Sequence, residues 1–308
     1  MRKAFIIIFL IYSNLFAIEA QSKIEIRFKI GDEIVTNIDI IEEKKYLIFL
    51  RPNLKKLSEE EILKIAQNSL IREIIKKKEL KRVFKDDENL RFMKEIKRNL
   101  FAFKNVANET EFKNLMIKNN INYEKIVSKM KYEAMWNELI FQKYSSFIKI
   151  NKQKLNEELK DKINKGKNFE YNLSEILFEL KNDENLNKKK IEILKFIELN
   201  DFKIGATKYS ISNSAKRGGE IGWIKETMLS KNLNSILSKM TVNQISDSIE
   251  YPNGYLLLKL NNKREIKREI DMKKELNDLI NFERNRQLSQ FSLLYYKKLK
   301  QNIIINEY

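Results

Sequence analysis

The sequence predicts an α+β protein that is mostly helical, with a small antiparallel sheet flanked by helices in one part of the chain. Three observations predict it. Apolar residues recur at three- and four-residue spacing through most of 22–165 and again through 266–299, the period of helices with one buried face. Short alternating runs, of which Ile24-Glu25-Ile26-Arg27-Phe28-Lys29-Ile30 is the clearest, read as strands. Five of the seven glycines fall between Gly205 and Gly254, so the positions that need left-handed backbone or close approach are concentrated there. At 308 residues and 43% apolar content the chain exceeds one ordinary domain and has ample material for a core.

The first residues set the compartment. Met1-Arg2-Lys3, an apolar stretch from Ala4 to Phe16 and small residues at Ala17 and Ala20 read as a secretory signal over 1–20, cleaved after Ala17 or Ala20. Ser13 and Asn14 interrupt the apolar run well short of the ~20 residues that a spanning helix needs. No integral membrane segment is expected after cleavage. With no cysteine in the chain, packing rather than disulfides holds the exported protein together. These features suit a bacterial periplasmic protein.

Elements follow in order. The strand 24–30, the turn Gly31-Asp32 and Glu33–Thr36 make a hairpin, and Thr36 or Asn37 caps a helix carrying Ile40, Ile41, Tyr46 and Leu47. Pro52 ends it. Ser58-Glu59-Glu60-Glu61 is a capping box for a long helix through Ile62, Ala66, Leu70 and Ile74. Further helices are expected at about 87–104, 109–118 behind Asn108, 122–147 and 152–165, and then a linker at Gly166. A strand at 171–180 precedes a helix from Asn182-Asp183-Glu184 to Leu199, and Asn200-Asp201-Phe202 opens a short one. The chain closes with a helix over 266–299, seamed by Ile270, Leu276, Leu279, Ile280, Phe291, Leu294 and Tyr295, and a strand at 302–306. Phe101, Phe103, Phe112, Tyr123, Met130, Met135, Trp136, Phe141, Tyr144 and Phe147 form an aromatic and methionine series. It fits either a helical core or an adaptable apolar groove.

Composition excludes several functions. The net charge of +17 arises from 60 Lys and Arg against 43 Asp and Glu, but the basic residues are mostly lysines interleaved with glutamates on every predicted helix. No arginine-rich or aromatic-interleaved stripe marks a nucleic-acid partner. The chain has neither histidine nor cysteine, which removes Ser-His-Asp triads, Cys-His dyads and the common zinc sites. No metal is implied. No Gly-rich Lys-Ser/Thr loop indicates a nucleotide, so no cofactor is implied either.

One ordered set of landmarks carries more. Phe202, Ala206, Lys208-Tyr209-Ser210, Gly218-Gly219-Glu220-Ile221-Gly222-Trp223, Gln244-Ile245-Ser246 and Asn253-Gly254-Tyr255 run into Leu256–Leu260. This resembles a parvulin-type peptidyl-prolyl isomerase domain from about 171 to 264. Parvulins place one histidine in the first strand and one in the last; here Glu175 and Leu256 stand at those positions. The resemblance implies apolar substrate-binding residues at Leu177, Phe202, Met228, Leu233 and Tyr255, and a domain with weak or absent catalysis and no catalytic residue carried over. The alternative is an isomerase with a divergent, histidine-free site in which Glu175, Ser174 or Tyr255 replaces the histidine network.

Lys29-Ile30-Gly31-Asp32-Glu33-Ile34-Val35-Thr36-Asn37-Ile38-Asp39-Ile40 and the closing helix and strand resemble SurA-type periplasmic chaperones. That resemblance implies one helical chaperone domain built from 21–165 and 265–308, with a parvulin-like domain inserted at 170–264. It also implies an ATP-independent holdase whose partners are unfolded outer-membrane proteins.

Overall fold

The computed structural model describes residues 23–84, 93–163, 169–181, 183–266 and 271–308. The signal expected over 1–20, the linker at Gly166, Ile270 and the side chain of Phe103 lie outside the described residues. The architecture is α+β, mostly helical, with two small antiparallel sheets.

The first sheet joins the two ends of the described chain. β1 (Ile26–Ile30) and β2 (Glu33–Thr36) form the expected hairpin around Gly31, whose φ is +58°. β7 (Ile305–Glu307) pairs antiparallel with the other edge of β1, Ile30 opposite Ile305, giving the order β2-β1-β7. Phe28, Ile30 and Val35 point into the protein and are buried.

Local chemistry sets the helix starts. For α1 (Asn37–Leu50) the cap is Thr36: its Oγ1 accepts from the Asp39 N–H at 3.3 Å, while the Asp39 carboxylate accepts from the Thr36 N–H at 2.9 Å. Ser58 and Glu61 repeat this at the head of α2 (Glu59–Val83). α3 (Met93–Phe103), α4 (Glu109–Lys118), α5 (Tyr123–Tyr144) and α6 (Lys152–Ile163) follow, with Asn108 and Asn122 capping α4 and α5. The final helix, α10 (Met272–Gln301), begins later than the periodicity suggests. The Asp271 carboxylate accepts from the Lys273 and Lys274 N–H groups at 2.9 and 3.1 Å and fixes the start there.

Two apolar clusters unite these pieces. Phe28, Ile30, Ile40, Leu47, Ile62 and Ile75 pack with Tyr296, Leu299, Ile303 and Ile305, so hairpin, α1, α2 and the end of α10 share one core. Leu80, Met135, Trp136, Leu139 and Ile140 meet Tyr295 between α2, α5 and α10. The aromatic series therefore divides. Phe112, Met135 and Trp136 are core, Phe101 leans on Phe112, and Phe141 and Phe147 remain 47% and 62% exposed.

The second sheet is four-stranded: β3 (Phe169–Phe178), β4 (Glu220–Lys225), β5 (Ile249–Tyr251) and β6 (Gly254–Glu265), in the order β4-β3-β6-β5. Around it lie α7 (Leu186–Leu199), α8 (Phe202–Tyr209) and α9 (Lys231–Lys239). α7 starts at Leu186, after the expected Asp183-Glu184 (Asn182 lies outside the described residues), because Asp183 takes a left-handed φ of +68° and Asn185 supplies the cap, accepting from the Asn187 and Lys188 N–H groups.

Polar contacts dock this sheet unit on the helices. Arg51 Nη1 donates to Thr207 Oγ1 at 2.6 Å and to the Ala215 carbonyl at 2.8 Å, and Lys208 pairs with Glu61 at 2.6 Å. Ile204 of α8 sits in the first apolar cluster. Glu133 on α5 pairs with Lys76 at 3.1 Å and with Lys216 from the sheet unit. Burial opposes the Glu133 charge most strongly, yet Lys76 and Lys216 together outweigh it and hold the carboxyl down to about 2, against 4.5 ordinarily. Because the folded state binds the Glu133 proton more weakly than the unfolded state, this contribution is complete above pH 4.5 and disappears as pH falls toward 2. The urea midpoint should therefore drop across that window, and Glu133→Gln should flatten the drop.

Candidate functional site

β3 and β6 form the centre of the sheet, with Leu177 opposite Leu256 and Glu175 opposite Leu258. Alternation along the pair sends Leu177, Leu256 and Leu258 to one face, where they pack with Leu229, Leu237 and Ile249 and with partly buried Leu233 and Ile221. The opposite face carries Ile176, Phe178 and Leu257 against Ile193 and Phe202, with Tyr255 at the margin, its ring 5.9 Å from that of Phe178.

The five apolar residues expected to bind substrate fall in different places. Leu177 and Leu233 lie on the α9 side, whereas Phe202, on α8, and Tyr255 lie on the opposite side with α7. Met228 joins neither cluster; Leu229 is the buried residue. The short 3₁₀ turn Glu226–Met228 and the Ser230 cap of α9 set the phase that turns Leu229 inward. Leu256, expected from the resemblance to stand at the second parvulin histidine position, is buried in the apolar face.

Glu175 sits in a polar corner beside that face. Its Oε1 accepts from Ser212 Oγ at 2.6 Å and from Ser214 Oγ at 2.8 Å. The corner is held by backbone: Glu175 N donates to the Gly219 carbonyl at 2.8 Å and Ile211 N to the Leu177 carbonyl at 2.7 Å, while the Leu177 N–H donates to Ser210 Oγ at 3.1 Å. Ser174 is buried with its hydroxyl accepting from Asn261 at 2.9 Å, away from the Glu175 contacts.

The glycines make the approach possible. Gly219 has φ +80°, and a Cβ there would lie 2.3 Å from the Glu175 carbonyl oxygen. Gly254 has φ +141°, and its Cβ would lie 2.2 Å from the Phe178 carbonyl oxygen. Each glycine admits the backbone of β3, one beside Glu175 and one beside the strand's end.

Ser212 and Ser214 escaped the sequence reading, although Ser210-Ile211-Ser212-Asn213-Ser214 stands between the Tyr209-Ser210 and Gly218-Gly219 landmarks. Alternate serines next to a glycine turn are the signal that could have found them. Chemically, the corner offers an anchored carboxylate and two hydroxyls at the rim of an apolar face. Prolyl isomerisation requires no bond to break; its barrier of ~18–20 kcal/mol falls when the amide loses its resonance in apolar, hydrogen-bonding surroundings.

Residues 172–262 match the family model of the PPIC-type PPIASE domain, the rotamase family. Among curated proteins, the chain is 42% identical over 64 residues to the chaperone SurA of Pseudomonas putida, covering 21% of this chain and 15% of SurA. It is 28% identical over 95 residues to the foldase protein PrsA 2 of Bacillus anthracis, covering 30% of this chain and 33% of the foldase. The match thus spans a third or less of either relative's length. A solved structure of a SurA-like chaperone from Campylobacter jejuni aligns over 92% of this chain and 98% of its own, at 19% identity and a TM-score of 0.37. Residues 172–262, with their glycine-built approach to β3, thus match the PPIC-type rotamase domain, on a chain similar in part to SurA- and PrsA-type proteins.

Proposed function

We propose that the chain is a periplasmic, ATP-independent holdase for unfolded outer-membrane proteins, and that its rotamase domain isomerises prolyl bonds weakly or not at all. The observation that carries the second half is the pair of substitutions at the histidine positions: Glu175 is tied to two serines and Leu256 is buried among leucines. The first half rests on the likeness to chaperones and on exposed Phe141 and Phe147, which offer broad apolar faces to extended apolar segments. Unfolded porin-type strands expose such segments and aggregate without a holder. Export rests on the signal-like start, and among the described residues no helix is long and apolar enough to cross a membrane.

The second reading, an isomerase with an altered site, is favoured by the Glu175–Ser212–Ser214 corner. In it, Leu177, Leu229 and Leu233 supply the prolyl cup, and Phe202 and Tyr255 support the sheet from behind.

Light scattering of a refolding porin and prolyl isomerisation of a short peptide, measured on one preparation, separate the two readings. The expected result is delayed aggregation without a change in isomerisation rate. Accelerated isomerisation that Glu175→Leu abolishes supports the altered-site enzyme, and failure of both assays removes the family-based reading.

A further inference from the structure

The free edge of the second sheet borders a second cleft, away from the Glu175 corner, whose floor shares Ile249 with the apolar cluster of the candidate site. Its volume is about 470 Å³, within the ~300–1,000 Å³ of ligand clefts. One wall is α9 and the other is the segment entering β5. Ile236, Met240 and Ile249 form the apolar floor, and Asn232, Gln244 and Ser248 the amide and hydroxyl rim.

The rim selects a ligand class. Lys239, Asp247 and Glu250 give the mouth mixed charge, and Asp247 is already paired with Lys190, so neither a phosphate nor a cation is favoured. Gln244 uses its carbonyl to accept from the Thr241 N–H at 2.8 Å, which leaves its NH₂ as a donor. Donors and acceptors of this kind match a peptide backbone.

The sheet supplies the remaining partner. β5 is the last strand in the order, paired on its inner side through Ile249–Leu256, Glu250–Tyr255 and Tyr251–Gly254. The two-residue Pro252-Asn253 connection makes Tyr251–Gly254 the hydrogen-bonded closing pair. The next residue, Glu250, then turns its N–H and C=O to the open edge.

We propose that this cleft binds an extended polypeptide segment as an added strand on β5, seating an apolar side chain on Ile236, Met240 and Ile249. Strand addition gives affinity through the main chain and selectivity through alternate side chains. The identity of the ligand as a client segment rests on the holdase reading; the existence of the site does not.

The test uses the full chain and a fluorescein-labelled ten-residue peptide of alternating valine and threonine, free of proline, followed by anisotropy. Ser248→Trp, which fills the cleft, is expected to weaken binding at least tenfold with an unchanged thermal melt, and Ile236→Lys, which charges its floor, to weaken it as much with a lowered melt, since Ile236 also packs on the apolar cluster. N-methylation of alternate peptide nitrogens should weaken binding tenfold in one frame and spare the other. Equal binding by both variants and the unsubstituted chain, or indifference to methylation in both frames, overturns the proposal. Frame-dependent probe binding by a chain that fails to delay porin aggregation supports the cleft and removes only the holdase reading.

Discussion

Gly219→Ala is expected to lower the unfolding free energy by about 2–5 kcal/mol, read from the urea midpoint at unchanged slope. Two costs add. At φ +80° an L-residue pays roughly 1–2 kcal/mol for left-handed backbone. The new Cβ would also stand 2.3 Å from the Glu175 carbonyl oxygen and 2.8 Å from Ala206 Cβ, so β3 or α8 must shift, at a cost of ~1–3 kcal/mol for overpacking. Gly222→Ala isolates the first cost: its φ is +89°, and no atom lies within 4 Å of the added Cβ, so a loss of about 1–2 kcal/mol is expected. Equal losses at the two sites would show that the close approach of the glycine turn to Glu175 carries no energetic weight.

Trp136→Ala is expected to cost about 3–5 kcal/mol. The ring is fully buried on α5, stacked on Tyr295 of α10 with centroids 5.7 Å apart, and its Nε1 donates to Ser292 Oγ at 2.8 Å. Lys76 Nζ lies over the same ring at 5.0 Å. The truncation thus removes core volume, a stacked pair and a buried hydrogen bond at the junction of α2, α5 and α10. Phe147→Ala, at an exposed aromatic, should change stability by no more than about 0.5 kcal/mol. A small loss at Trp136 would argue against the proposal that the segments 21–165 and 265–308 build one helical domain.

Much of the fold was legible because it is written in neighbouring residues. The capping boxes at Thr36-Asp39 and Ser58-Glu61 act across a single turn, and the helical period of α2 and α5 is visible in any window of a dozen residues. Where a second local signal competed, the boundaries moved: Asp183 and Asn185 delayed α7, and Asp271 delayed α10. The glycine run between Gly218 and Gly222 pointed to the rotamase turn for a local reason, since only glycine tolerates those backbone angles cheaply.

By itself the sequence determined most helical segments, the first hairpin, the caps at Thr36, Ser58 and Asn108, and the absence of histidine and cysteine chemistry. Tertiary structure alone decided that β7 pairs with β1, that Leu229 rather than Met228 faces the sheet, that Phe202 and Tyr255 fall on the far side from Leu177, and that Ser212 and Ser214 close on Glu175. The physical reason is range. Caps and periodicity act over three or four bonds of the backbone ladder, whereas strand register and packing phase join residues far apart in sequence, and a shift of one residue sends a side chain to the opposite face.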